Sequence, residues 1–208
     1  MELYTIGHSD HSLEDFIKLL KQHHITAVAD VRSHPYSRYL SHFNKSELQA
    51  SLEKENITYV FLGQELGARP NNENCYINGK AVYEKIANTA LFQEGIQRVL
   101  KGVKKYRVAL MCAEKDPLTC HRTILVCQQL NSYNLEIKHI LPTGKLESHE
   151  DLENRLLDKQ GFSQLQLSLF DIINTSSSSL DKEQCLQQAY QKQGEIIAYV
   201  QPKEEQSK

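Results

Sequence analysis

Two cysteines, a glutamate, a histidine and an arginine crowd into one eleven-residue string, CAEKDPLTCHR at 112–122. Asp116-Pro117 makes a turn and Thr119 is placed to cap a following helix, whose first turn would then hold Cys120, His121 and Arg122. Free N–H groups and the helix dipole favour an anion there, so a thiol at that place becomes more acidic. The dipole supplies only about 0.3–1 kcal/mol, less than one pKa unit, and an activated cysteine needs a cation as well. His8, His121, Arg32 and Arg122 are the candidates. Cys112 and Cys120 are thus candidate nucleophiles, and Glu114 and Asp30 are candidate acid/base groups. The alternatives are that Cys112 is a buried strand residue, Cys120 a small packing residue, and each carboxylate a salt partner for the arginines. Cys127, seven residues beyond Cys120, reads as core. Cys112, Cys120, His121 and His8 are chemically suited to zinc, yet no standard zinc spacing occurs, so neither a metal nor another cofactor is expected. Walker A, Gly-x-Gly-x-x-Gly and His-Glu-x-x-His motifs are absent, and Leu118 stands where a Cys-x₅-Arg phosphatase loop would need its arginine.

These residues can act together only if the fold gathers them. LYTIGHS reads as a strand, and Ser12 caps an amphipathic stretch with Leu13, Phe16, Ile17 and Leu20 on one face. The nearly continuous apolar run 25–32 suits a buried parallel strand, and 44–56 returns to helical spacing behind an Asn44 or Ser46 cap. Strands at 57–63, 107–114 and 135–142 alternate with helices at about 90–105 and 120–133. Five β/α units in series predict a three-layer α/β fold: a mostly parallel five-stranded sheet with helices on both faces. In such a sheet the ligand crevice lies outside the carboxyl ends of the strands. There the pattern puts His8, Ser9, Asp30, Arg32, Ser37, Arg38, Arg69 and the 112–122 string. Four of the seven arginines (Arg32, Arg38, Arg69 and Arg122) fall in these loops. That clustering points to recognition of phosphate or carboxylate, with His8, Ser9 and Ser37 as further binding candidates; the bland alternative is surface solvation. The polar insertion 63–89 is either a binding loop or decoration.

The chain of 208 residues has 24 basic and 26 acidic side chains, a net charge of −2, which excludes a polybasic nucleic-acid or lipid binder. No membrane-length apolar run and no basic-then-apolar leader is present, and five scattered cysteines read as reduced thiols, so a cytoplasmic protein is expected. The α/β domain is expected at 1–145, a C-terminal helix and adjoining segment at 146–171, and a mobile, Ser/Gln-rich tail at 172–208 in which a short helix, QCLQQAYQK, can form.

YTIGHS, DVRSHPYSR followed by HFN, LGAR, and MCAEKDPLTCHR followed by HI resemble, in this order over about 3–142, the domain of unknown function 488 family. The resemblance implies an α/β fold and a site made of His8, Ser9, Asp30, Arg32, Pro35, Ser37, Arg38, Arg69, Cys112, Glu114, Cys120, His121 and Arg122; it implies no particular activity. Ala68 departs from the family's usual second glycine before Arg69. Outside that span, QLSLF at 166–170 is similar to the pentapeptide by which bacterial replication and repair proteins bind the sliding clamp, with Gln166, Leu167, Leu169 and Phe170 as partner-binding residues. Packing of those side chains against the domain is the alternative. The function expected from these features is recognition or processing of DNA or a nucleotide, in the manner of repair, by a clamp-recruited protein whose Cys/Glu chemistry could make it an enzyme. A non-catalytic binding module, or a small-molecule enzyme for a phosphorylated metabolite, is the alternative.

Overall fold

The computed structural model describes residues 1–162 and 182–202. Its element order is β1 (Glu2–Gly7), α1 (Leu13–Gln22), β2 (Ala27–Asp30), α2 (Lys45–Lys54), β3 (Thr58–Phe61), α3 (Gly63–Leu66), the short hairpin β4 (Tyr76–Ile77) and β5 (Lys80–Ala81), α4 (Tyr83–Ala87), α5 (Ala90–Gly102) and β6 (Val108–Cys112). A π-helical turn, Arg122–Cys127, then runs into α6 (Gln128–Leu130), followed by β7 (Glu136–Ile140), β8 (Leu146–Ser148), α7 (His149–Lys159) and α8 (Lys182–Ile197). The predicted α/β architecture is present, with one strand more than expected in the main sheet and a separate two-stranded hairpin, β4–β5. The main sheet runs β3-β2-β6-β1-β7-β8; its first five strands are parallel, and β8 adds an antiparallel edge.

The winding explains where the helices lie. From β1 the chain passes β6's place to reach β2 and then β3, returns to β6, and crosses β1 to reach β7. Right-handed crossovers in opposite directions put their helices on opposite faces. Accordingly Phe16, Leu19 and Leu20 of α1 and Leu48 and Leu52 of α2 pack with Tyr4, Ile6, Val28, Ala109 and Met111. Phe92, Ile96 and Val99 of α5 and Leu125, Val126 and Leu130 pack on the other face with Leu3, Ala27, Ala29, Leu110 and Cys112. Successive strand residues alternate faces. Cys112 therefore points to the α5 face, whereas Asp30, paired with Met111, points to the other.

Several local details depart from expectation. Ser12 caps α1, its Oγ accepting the Asp15 N–H, as predicted. Asn44 stands at the start of α2 but its Oδ1 accepts the N–H of Ser37, so it fixes the preceding loop instead of capping the helix. The 63–89 insertion packs inward through Cys75, Ala81, Ile86 and Ala87 and joins the α5-face core. Part of the tail expected to be mobile is ordered. The short helix foreseen there is the longer α8, and Ala189 and Tyr190 pack with Leu152 and Leu156 of α7 and with Leu118 and Ile124. Beyond it, Ala81 N–H donates to Tyr199 O at 2.9 Å and Gln201 N–H to Gly79 O at 2.8 Å, tying residues 199–201 to the hairpin. Gln166–Phe170 and the rest of 163–181 lie outside the described residues. No described helix is long and apolar enough to cross a membrane.

Candidate functional site

The carboxyl ends of β1, β6 and β2 lie side by side at the centre of the sheet, where the chain reverses its winding direction. The close approach that builds the site depends on Gly7. A Cβ there would stand 1.9 Å from the Glu114 carbonyl oxygen and 3.3 Å from Arg122 Nη1. Past Gly7, the N–H groups of His8 and Ser9 donate to the carbonyls of Cys112 (2.9 Å) and Ala113 (2.8 Å), holding the two strand ends together beyond the sheet proper.

Two groups of side chains result, divided by the alternation of faces. The first is Asp30, Arg32 and His8. Arg32 makes a two-pronged pair with Asp30 (Nε–Oδ1 2.9 Å, Nη2–Oδ2 2.7 Å) and also donates to the Phe43 carbonyl (2.8 Å). Tyr59 OH donates to Asp30 Oδ2 at 2.7 Å. Arg32 Nη1 stands 3.2 Å from His8 Nε2, which must accept because a guanidinium can only donate. That assigns the proton of His8 to Nδ1, which donates to Ser9 O at 3.0 Å. The neutral imidazole is reinforced by burial and by the Arg32 charge, which lower its pKa to about 4, and the ring stacks on Phe43 at 4.3 Å. Asp30 and Arg32 are thus mutually neutralised inside the protein.

The second group is Cys112, Glu114, Cys120, His121 and Arg122. Cys120 is extended (φ −129°, ψ 136°) and precedes the π-helical turn, which corrects its expected place in a helical first turn. Its Sγ stands 3.4 Å from the Arg122 N–H and 2.9 Å from Glu114 Oε2, a contact that requires a proton between sulfur and carboxylate. His121 donates from Nε2 to the Val31 carbonyl (2.9 Å), which leaves Nδ1 facing Cys112 Sγ at 3.6 Å. Arg122 is fully buried; Nη1 donates to the Glu114 carbonyl at 2.7 Å and Nε has no partner.

The electrostatics follow from this packing. Burial drives the Cys112 thiol well above its ordinary range, and the neighbouring Cys120 sulfur adds to that. Burial also opposes ionisation of Cys120, but its hydrogen bond with Cys112 and the charges of Arg122 and His121 outweigh it and bring this thiol well below its ordinary value. Glu114 is raised because its carboxyl is partly desolvated against these groups, although the residue as a whole is open to solvent, and because Cys120 adds to that. His121 is raised because Cys120 and Glu114 overcome the burial penalty. The arrangement can hold one negative charge on Cys120 or Glu114 against Arg122 and pass a proton between them.

Of the predicted residues, Cys112, Glu114, Cys120, His121 and Arg122 come together, and Asp30, Arg32 and His8 adjoin them as a separate pair with its histidine. Asp30 and Glu114 do not form a carboxylate pair. Ser9, at φ +44°, turns its hydroxyl to Asp10, and Ser37 uses its own to accept the N–H groups of Tyr39 and Leu40. Arg69 is exposed over the ring of Tyr199, 4.3 Å from its centroid, and its N–H donates to Ser33 Oγ. Arg38 is exposed and makes no described polar contact. Sequence reasoning missed the Val31 carbonyl, Phe43 and Tyr59; the apolar run 25–32 read as a buried strand without showing which carbonyl would receive a site side chain, and HFN entered only through the family resemblance. Donor atoms of Cys112, Glu114, Cys120 and His121 all lie within 4.8 Å of one another, so these four could hold a metal ion. His8, whose two ring nitrogens are already engaged, is replaced by Glu114 in that set.

No match was found among curated proteins or among solved structures. The family described as domain of unknown function DUF488 matches residues 12–128, a span that holds every site residue except those of the β1 end, and the chain belongs to that family.

Proposed function

We propose that the carboxyl edge of the sheet engages single-stranded DNA or a nucleotide, with Tyr36, Arg38 and Tyr39 as the contacting element. The observation that carries this is the exposure of both tyrosines, 74% and 96%, with Arg38 exposed between them on the β2–α2 loop. Neither ring has a packing role. Aromatic faces with an interleaved arginine suit base stacking combined with phosphate contact. Arg32 and Arg122 are engaged inside the protein, so the anion-binding role expected of the arginines falls to Arg38 and Arg69, with exposed Lys45 at the end of the Arg38 loop and exposed Lys115 next to Glu114. A net charge of −2 is compatible with such a local contact. The Cys112, Glu114, Cys120 and His121 set on the same edge is the group that could act chemically on what is held there, in the manner of a repair activity. Recruitment through Gln166–Phe170 to a bacterial sliding clamp would raise the local concentration of DNA enough to make modest affinity sufficient.

The test is fluorescence anisotropy of a labelled single-stranded oligonucleotide. Y36A and Y39A are each expected to weaken binding by about 5- to 150-fold, the worth of one stacked base. R38A is expected to reduce the salt dependence by about one phosphate contact. In the same assay, added clamp should strengthen wild-type association but not that of the L169A/F170A variant. Absence of wild-type binding, or equal binding by Y36A, Y39A and wild type, overturns the proposal.

A further inference from the structure

On the same edge of the sheet, four metal-ligating side chains of different chemistry converge from the end of β6 and the segment between it and the π-helical turn. We infer that Cys112, Glu114, Cys120 and His121 form a mononuclear site for a divalent transition-metal ion of the zinc class. The inference is independent of the nucleic-acid reading, since it concerns only what these four side chains hold.

The donor spacing fits. With bonds of about 2.3 Å to sulfur and about 2.0–2.1 Å to nitrogen or oxygen, a tetrahedral ion sets its ligand atoms about 3.3–3.8 Å apart. Cys112 Sγ and His121 Nδ1 are 3.6 Å apart, and all four donors lie within 4.8 Å of each other. Cys120 Sγ and Glu114 Oε2, at 2.9 Å, would need to open by about 0.6–0.7 Å, which the exposed Glu114 side chain can accommodate.

The surroundings match what such a site needs. The Val31 carbonyl takes the Nε2–H of His121 and turns Nδ1 inward, the outer-shell arrangement that orients metal-binding histidines. The Arg122 backbone N–H points at Cys120 Sγ, as N–H groups do at metal-bound thiolates. Two thiolates, one carboxylate and a neutral imidazole around a dication leave one negative charge. Arg122, fully buried with Nε unpartnered, supplies the matching positive charge. Three ligands are buried and Glu114 alone is open to solvent, so Glu114 is the ligand a water or substrate would displace, as in sites that keep a reactive position.

The test uses the reduced, metal-stripped full chain titrated with Co²⁺ as a spectroscopic probe. One equivalent should produce thiolate-to-cobalt charge transfer in the near ultraviolet and intense tetrahedral bands in the visible, both discharged by Zn²⁺. Cys112→Ser and Cys120→Ser should each lose charge-transfer intensity, and Glu114→Gln should bind at least about tenfold more weakly while keeping the thiolate bands. Because a Cys→Ser change at a buried position can impair folding, X-ray absorption of the zinc-loaded wild-type protein supplies a measurement free of substitutions. Two sulfur and two nitrogen or oxygen neighbours support the site. No cobalt spectrum with wild type, a spectrum unchanged in the double cysteine variant, or a zinc shell without sulfur overturns it.

Discussion

Arg32 and Arg122 bring the same charge to the same edge of the sheet, and their partners give them different roles. Arg32 satisfies Asp30 with both prongs of its fork and reaches a carbonyl and His8 with what remains. Removing it leaves Asp30 fully buried without its counter-charge, aided only by Tyr59 and the backbone. R32A is therefore expected to lower stability by about 3–5 kcal/mol in urea unfolding, and R32K to recover only part, since an ammonium cannot reproduce the planar fork. A loss below about 1 kcal/mol would mean that the pair is not the anchor of the β2 end. The residue types of this site were legible in the sequence, but their division into two groups was less so. Asp30 and Arg32 are two apart at a strand end and so share a face, a signal that favours the salt-partner alternative for Asp30 over its acid/base role.

At the scale of elements, α7 and α8 are joined to the sheet by a buried chain of polar groups. Thr5 Oγ1 meets His139 Nδ1 at 2.8 Å, His139 Nε2 meets His149 Nδ1 at 3.1 Å, and Tyr190 OH lies 3.2 Å from His149 Nε2 while donating to Glu153 at 3.0 Å. Burial lowers the pKa of His149 to about 4, against about 6.5 in an unfolded chain. Below pH 6.5 the unfolded chain takes up a proton that the folded one refuses, so stability falls with pH through this window, by up to about 3 kcal/mol at pH 4. Glu153, raised by burial, binds its proton more readily when folded and offsets part of that loss. Urea unfolding from pH 7 down to about 4.5 is expected to show the decline, and His149→Asn to lessen it without abolishing it, since His8 and His139, also lowered by burial, lose stability through the same window; equal slopes for the two proteins would assign the acid sensitivity elsewhere. Of the α8 helix that receives this chain, the existence was legible but the full length and the docked face were not. Cys185, Ala189 and Gln193 recur at four-residue spacing, but the stripe is small and partly polar, and Gln193 earns its buried place through a bond to the Leu118 carbonyl, which only the tertiary structure reveals.

For the whole molecule, the alternation of strand and helix was enough to foresee the parallel sheet and the edge at which the Cys112–Arg122 side chains gather, because burial on both faces writes itself into nearly continuous apolar strands. The antiparallel edge strand was not foreseen: β8 has three residues, with two exposed, and no apolar run to announce it. The docked α8 makes the C-terminal part of the chain integral to the fold, covering Leu118, Ile124, Leu152 and Leu156. A chain ended at residue 162 is expected to melt about 10 °C lower, or without a cooperative transition, and to bind a hydrophobic dye; an unchanged melt would make α8 an accessory. β1 lies between β6 and β7, pairing Tyr4 with Ala109 on one side and with Lys138 on the other. Of the strands of this sheet, the one made earliest is therefore the one whose neighbours are made late. Contacts of such sequence separation slow folding, and both edges of an apolar strand stay open until they form. Through most of its synthesis, the future centre of the sheet is thus a segment in need of shelter from other chains.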